Sequence, residues 1–319
     1  RWRPFDGVFG IFDDSLPDGW GKLLVDRALA KHGLNPREVG FLARLSFVGA
    51  SGMGALEYEP ETAIAASFGE LDFDVIAEEC ARLLATNESD DFDELLALGG
   101  SSGGARPKVL TEVDGEEWIV KFPSSFDTEN IGEQEYCIAQ LAKRCGLDVP
   151  ETRLFPSKRC SGYFGVKRFD RVGADPSRKV HMASAGALLE SSHRVPNLEY
   201  ELLMRLTSLL TDSACDIDRL YRLMCFNVFI GNRDDHAKNF SFLYNETAGK
   251  WSLSPAYDLT QNPGTYGERA TTVNGKGKGI ELADLLAVGV KAGLKQSWAR
   301  DVAEDVRAKV ESVGLLDCS

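Results

Sequence analysis

The chain has 319 residues, 43% of them hydrophobic and 27% charged, which is enough for one large core or two moderate ones and excludes a globally disordered state. Asp and Glu number 49 against 36 Lys and Arg, a net charge of −13, and that field argues against a broad nucleic-acid-binding face while leaving room for a local basic cleft, because Lys and Arg are what hold a phosphate backbone. The seven cysteines form no CxxC pair and read as reduced thiols of a cytoplasmic protein, and no apolar run is long enough for a membrane span.

Leu16-Pro17-Asp18-Gly19-Trp20 opens a predicted helix with Trp20, Leu23, Leu24 and Ala28 on one side, and Gly33 with Pro36 stops it. The Gly-rich run from Gly49 to Gly54 reads as a turn. A second amphipathic helix is predicted from Asp74 to about Leu84, with Val75, Ile76, Ala77, Cys80 and Leu84 as its apolar set. Past Gly99 the texture changes: Gly-Gly-Ser-Ser-Gly-Gly leads into two β-like runs around Asp114-Gly115, and that dipeptide tolerates the positive φ of a tight hairpin turn. Helical periodicity returns from Thr128 to Cys145, and Thr152–Phe155 with Tyr163–Phe169 reads as another hairpin.

The second half is predicted to be mostly helical, with leucines at Leu198, Leu202, Leu206 and Leu209, then Ile217, Leu220, Met224 and Val228. A short β insertion runs through Phe240–Tyr244 and Trp251–Ser254, and helix resumes from Leu282 to Val313. Strands first and helices later predict an α+β chain in two lobes, residues 1–169 and 170–319, joined near Phe169-Asp170.

The densest polar cluster is Gly231-Asn232-Arg233-Asp234-Asp235-His236-Ala237-Lys238-Asn239, between an apolar helix and a strand. Asp234 precedes Asn239 by five residues, the spacing of the kinase pattern H-R-D-x-x-x-x-N. In that pattern the Asp accepts the proton of the attacking hydroxyl and the Asn holds a metal ion on the nucleotide phosphates. A second metal-binding carboxylate should then follow a short hairpin, and Asp258 does so within Ala256-Tyr257-Asp258-Leu259. Taken alone, Asp258 is equally well read as the cap of a turn.

Phosphoryl transfer also needs a fixed cation on the phosphates, usually a strand Lys paired with a helix Glu. Lys121 interrupts the second β-run, and Glu135 lies in the apolar stripe Ile131, Glu135, Ile138, Ala142, Cys145 of the next helix. An ion pair is the better reading, since burying either charge alone is costly. The loop Gly99–Lys108, with Ser101, Ser102, Gly103 and Gly104, has the backbone freedom to approach phosphates, although most Gly/Ser runs are only loops. Gly275-Lys276-Gly277-Lys278-Gly279 follows no convincing strand and reads as a mobile basic loop. With four His and no H-E-x-x-H or G-x-S-x-G pattern, zinc and acyl hydrolases are disfavoured.

Five segments in order, Asp14–Gly21, Gly103–Lys108, Val166–Arg171, Gly231–Asn239 and Ala256–Leu259, resemble the HipA-type serine/threonine kinases, the toxin halves of bacterial toxin–antitoxin modules. The resemblance implies a bilobal protein-kinase-like α+β fold with a small strand-containing N-lobe and a mostly helical C-lobe. It implies ATP with Mg2+ and transfer of the γ-phosphoryl group to a protein hydroxyl. By the same resemblance Asp234 is the catalytic base, Asn239 and Asp258 hold magnesium and Lys121 binds phosphate. His236 and Lys238 shape the loop, and Lys238 neutralises charge on the transferred group. The Lys167–Phe169 backbone meets adenine, Asp170 meets the ribose, and Ser101 or Ser102 is the site of autophosphorylation.

The implied substrates are proteins of the translation machinery such as aminoacyl-tRNA synthetases. The implied partner is a helix-turn-helix antitoxin, so that DNA contact is indirect, and no membrane is involved. The small β-rich subdomain that usually precedes Leu16-Pro17-Asp18 reads as absent or short, as in the short toxins completed by a separate small protein. Asp258 also lacks a following Phe-Gly, so a D-F-G flip is not assumed. Two competing readings are an antibiotic-type small-molecule phosphotransferase, disfavoured by the 103–108 motif, and a non-catalytic ATP-binding scaffold, disfavoured by intact Lys121, Asp234, Asn239 and Asp258.

Overall fold

The computed structural model describes residues 5–62, 72–86, 88–173, 178–195 and 197–313. In chain order, α1 (Gly10–Asp13), α2 (Gly19–Lys31), α3 (Phe41–Val48), α4 (Phe73–Thr86) and α5 (Phe92–Gly99) precede β1 (Lys108–Val113) and β2 (Glu116–Lys121). Then come α6 (Ile131–Arg144), β3 (Thr152–Phe155), β4 (Tyr163–Lys167), β5 (His181–Ser184), α7 (Ala185–Leu188) and β6 (Leu198–Glu199). The rest is α8 (Tyr200–Thr211), α9 (Ala214–Phe229), β7 (Ser241–Asn245), β8 (Lys250–Leu253), β9 (Thr271–Thr272), α10 (Leu282–Lys291) and α11 (Gln296–Ser312). The chain divides into two compact units. A sheet unit takes Ser15–Tyr136 and Glu151–Val180, and a helical unit takes residues up to Asp14, Cys137–Pro150 and residues from His181 onward. This division is not a single cut at residue 169.

In the sheet unit four antiparallel strands run in the order β1-β2-β4-β3. The β1–β2 turn puts Asp114 at φ 57° and Gly115 at φ 76°, the two left-handed residues of a primed hairpin turn, as the Asp-Gly step predicts. Alternation then buries Val109, Trp118 and Val120 on one face, where they pack with Trp20, Leu24 and Phe122. Asp18 caps α2 with its carboxylate on the Gly19 amide at 2.9 Å. In α4 the buried set is Ile76, Glu79, Cys80 and Leu83, whereas Val75 is exposed. The expected apolar set thus errs at Val75: Ile76, Cys80 and Leu83 keep the i, i+4, i+7 spacing, and Val75 falls off that face. Glu79 is covered because its carboxylate holds Arg82, Ser89 and the Asp90 amide. The eight-residue helices α3 and α5 are too short and too evenly apolar to signal themselves by period.

The helical unit packs α8, α9, α10 and α11 with an antiparallel sheet β5-β7-β8 and a short parallel pair β6-β9. Its core holds Tyr200, Leu203, Met204, Leu220, Met224, Phe226 and Phe242. The leucine spacing misreads α8. Leu198 belongs to β6, Leu202 and Leu209 point to solvent, and Leu203, Met204, Thr207 and Thr211 are the buried face. The final helical stretch is two helices, broken where Gly293 takes φ 89°. The basic 275–279 loop is a pinned turn, contrary to the expected mobility: Lys276 pairs with Asp284 at 2.8 Å and the Arg269 amide donates to Gly277. Cys80, Cys137, Cys145, Cys160, Cys215 and Cys225 are free thiols, and Cys318 lies outside the described residues.

Candidate active site

In the sheet unit, the hairpin brings Lys121 to the end of β2, and the first turns of α6 present Glu135. Their ion pair is 2.8 Å long, with the side chains 12% and 4% exposed. The sequence reading finds this pair but misses its third member. Arg106 donates to the other oxygen of Glu135 and bridges to Asp127 at 3.0 Å. With Asp127 counted, two cations face two carboxylates, and removing Glu135 would take from Lys121 and Arg106 the carboxylate they share. The sequence signal for Arg106 is its place in the Gly103–Lys108 segment just before β1.

The Gly-rich loop lies against the start of α2. The Trp20 amide donates to the Gly104 carbonyl at 2.8 Å, and Lys108 Nζ donates to the Gly103 carbonyl at 2.5 Å. A Cβ on Gly19 would run into the Gly104 carbonyl, and one on Gly21 into that of Ser102, so both positions need glycine for close approach. Two motifs about eighty residues apart in sequence are thereby one substructure. A side chain at Gly103 would meet open space. The Ser102 hydroxyl is buried and donates to Gly99 at 2.6 Å, and the Ser101 hydroxyl is enclosed without a hydrogen-bond partner.

At the end of β4 the Lys167 amide donates to the Glu151 carbonyl and the Arg168 amide to the Glu117 carbonyl, and the Lys167 ammonium pairs with Glu116. Asp170 is wholly buried, and its carboxylate accepts from Arg168, from Arg171 at 2.7 Å and from the Gly54 amide at 2.7 Å. Burial pushes the Asp170 carboxyl up, but the two guanidiniums together hold it below the usual carboxylate range. The Asp170 carboxylate thereby has a structural role, tying the Gly49–Gly54 turn to the end of the sheet together with Arg168 and Arg171 on the Ser51, Gly52 and Gly54 carbonyls.

In the helical unit, α9 ends at Phe229 and the polar loop begins at Gly231, where φ is 72°. The two neighbouring acids separate: Asp234 is exposed, whereas Asp235 is fully buried. A tight turn over Ala237–Asn239 then brings Asn239 back, and its side-chain nitrogen donates to the Asp234 carbonyl at 2.8 Å. With Nδ2 so engaged, Oδ1 remains as the acceptor of that amide. Tyr257 fixes the next segment by donating to the Lys238 carbonyl at 2.5 Å, with Ser241 also on its hydroxyl, and the following residue, Asp258, takes φ 54°. A non-glycine residue in that region is unusual and is held there by its surroundings.

His236 reports the outcome. Burial pushes its imidazolium down, while the negative charges of both Asp234 and Asp258 pull it up. Both acids are therefore near it, although they lie far apart in sequence, and the His193 ring is 5.4 Å away. The Lys238 ammonium sits 3.4 Å from the Asp13 carboxylate and 3.3 Å from the Asp13 carbonyl, so its charge is shared with α1. Asp14 is held by the Ser184 amide and hydroxyl at 2.7 and 2.6 Å, and burial raises its carboxyl even so. Among the described residues no cluster of three or more His, Cys, Asp or Glu forms a metal site. The Asn239 amide oxygen and the Asp258 carboxylate are oxygen donors of the kind that would suit Mg2+.

The fold is α+β and kinase-like, and the β7–β8 hairpin lies between the D-x-x-x-x-N loop and Asp258. Residues 100–313 match the family model described as HipA-like C-terminal domain, and residues 2–59 match the HipA N-terminal domain. The chain belongs to the HipA family of kinases. Two proteins of Sinorhizobium fredii, "Putative kinase Y4dM" and "Putative kinase Y4mE", are 27% and 28% identical to it, covering 98% and 92% of this chain and 78% and 72% of their own. HipA of Shewanella oneidensis, solved with HipB and its operator DNA, has the same fold, with a TM-score of 0.72 at 17% identity over 97% of this chain and 78% of that one.

Proposed function

We propose that the chain is an ATP-dependent serine/threonine protein kinase acting as the toxin of a toxin–antitoxin module. The observation that carries this reading is the convergence of Asp234, Asn239 and Asp258 about His236, from segments separated by the β7–β8 hairpin. In this reading Asn239 and Asp258 hold Mg2+, which draws negative charge off the phosphates when bound. Lys121, in the sheet unit, supplies a fixed cation for nucleotide phosphate, and Glu135 keeps its ammonium in place. Asp234, exposed and carrying no neighbouring cation in its own turn but Arg233 and Lys238, accepts the proton of the acceptor hydroxyl and orients it. The acceptor is a protein of the translation machinery, such as an aminoacyl-tRNA synthetase, and autophosphorylation falls on Ser101 or Ser102 once that loop has left its present hydrogen bonds.

The partner is a helix-turn-helix repressor. Supporting this, the related Shewanella HipA was solved with HipB and operator DNA, and the acidic charge of the present chain leaves DNA binding to such a partner. Incubating the chain with labelled ATP, Mg2+ and a cell lysate tests the kinase reading, with identification of the labelled band. Asp234→Asn is expected to keep nucleotide binding and lose transfer by about a thousandfold or more. Labelling by the variant equal to the wild type would remove Asp234 from the mechanism.

A further inference from the structure

Asp235 has no role in the chemistry above, yet it is the more deeply placed of the two neighbouring acids. Its carboxylate accepts from Arg269 Nη2 at 2.5 Å, from the Tyr200 hydroxyl at 2.8 Å and from the Thr271 amide at 3.4 Å. The Thr271 hydroxyl donates to its carbonyl. Arg269 is 4% and Asp235 1% exposed in their side chains. An ion pair this dry persists only where its geometry is good, and losing either member leaves the other uncompensated. The pair joins two segments. Arg269 and Thr271 end the stretch that begins at Asp258, and Asp235 adjoins Asp234.

The same stretch is held at its start as well, through Tyr257 on Lys238. Between those ends Arg233 grips it again, accepting from the Ala270 amide at 2.9 Å and donating to the Pro263 carbonyl at 2.8 Å. Behind the loop, Asn227 donates to the Tyr200 hydroxyl at 3.1 Å, and Asn232 donates to the Asn227 side chain at 3.0 Å. The Asp234 amide in turn donates to Asn232 at 3.2 Å. Bonds thus run from Arg269 through Asp235, Tyr200, Asn227 and Asn232 to the backbone of Asp234. Because consecutive residues share a rigid planar peptide, Asp234 cannot be placed independently of Asp235.

We infer that Asp235 and Arg269 are positioning residues for the proposed base: the buried pair locks the segment after Asp258 to the catalytic loop and so sets where the Asp234 carboxylate stands. The inference rests on the kinase reading. It assigns the pair a role in the rate of transfer and none in nucleotide affinity, since Lys121 is held by Glu135 and the segment of Asp258 by Tyr257 on Lys238.

The test uses the full chain as wild type, Asp235→Asn, Arg269→Gln, Arg269→Lys and the Asp235→Asn/Arg269→Gln double variant. Labelled ATP with Mg2+ and cell lysate report transfer, a fluorescent ATP analogue reports nucleotide binding, and rates are divided by the concentration of nucleotide-binding sites so that misfolded protein does not count. The expected result is a fall in kcat of about tenfold or more for the two single variants, with nucleotide affinity held within about twofold. The double variant should be no slower than the slower single one, and Arg269→Lys, which keeps the charge but not the planar fork, should recover part of the rate. Variants that keep kcat within about twofold, or that lose nucleotide affinity in parallel with kcat, overturn the inference while leaving the kinase reading intact. A wild-type chain that transfers no label overturns the kinase reading and this inference with it. Should Asp235→Asn fail to fold, Arg269→Lys carries the same comparison alone.

Discussion

At Asp170 a carboxylate with no water around it is kept ionised by two guanidiniums and a backbone amide. Its folded pKa is depressed, so the stability it contributes is present above the unfolded carboxyl value of about 4 and is lost as pH falls through the folded value. Asp170→Asn is therefore expected to be less stable than wild type at pH 7, with the gap beginning to close below about pH 4. Urea unfolding of both proteins at several pH values measures it, and a gap independent of pH would remove the ionic contribution. Asp235 illustrates the opposite balance, since burial raises its carboxyl despite Arg269. The exposed Asp234 beside it shows that residue type and spacing do not separate a candidate base from a structural acid.

Element by element, the sequence signal is strongest where chemistry is local. The Asp114-Gly115 turn, the Asp18 cap and the β7–β8 hairpin form within a residue or two of their predicted places because each is decided by neighbours in the chain. Helix α8 fails as a prediction because an evenly leucine-rich helix offers two plausible faces, and the partners α9 and α10 choose between them. Leu203→Ala is expected to cost about 2–5 kcal/mol, and Leu209→Ser less than about 0.5 kcal/mol. Denaturant midpoints of the two variants check this, and a larger loss at Leu209 would mean that its face is covered.

For the molecule as a whole, the net charge of −13 sets what it can bind unaided. With DNA as the only other component, the chain is expected to show no retention in a gel-shift titration at about 0.15 M salt, because its excess of negative charge opposes approach to the phosphate backbone. Tight binding by the isolated chain would contradict the proposal that a repressor supplies the DNA contacts. No helix of the described residues is long and apolar enough to cross a membrane.

The sequence alone determined the α+β class, the hairpins and the Lys121–Glu135 pairing, and it marked Asp234, Asn239 and Asp258 as candidates, since each rests on short-range spacing or on a charge that burial forces to find a partner. Tertiary structure decided the rest. It gave Asp170 to Arg168 and Arg171, Lys238 to Asp13, Arg106 to Glu135 and Asp235 to Arg269, and it brought the start of α2 against the Gly-rich loop. Which partner a buried charge takes, and where only a glycine fits, depends on segments remote in the chain, and their approach is fixed by the packing of the core, which no local pattern records.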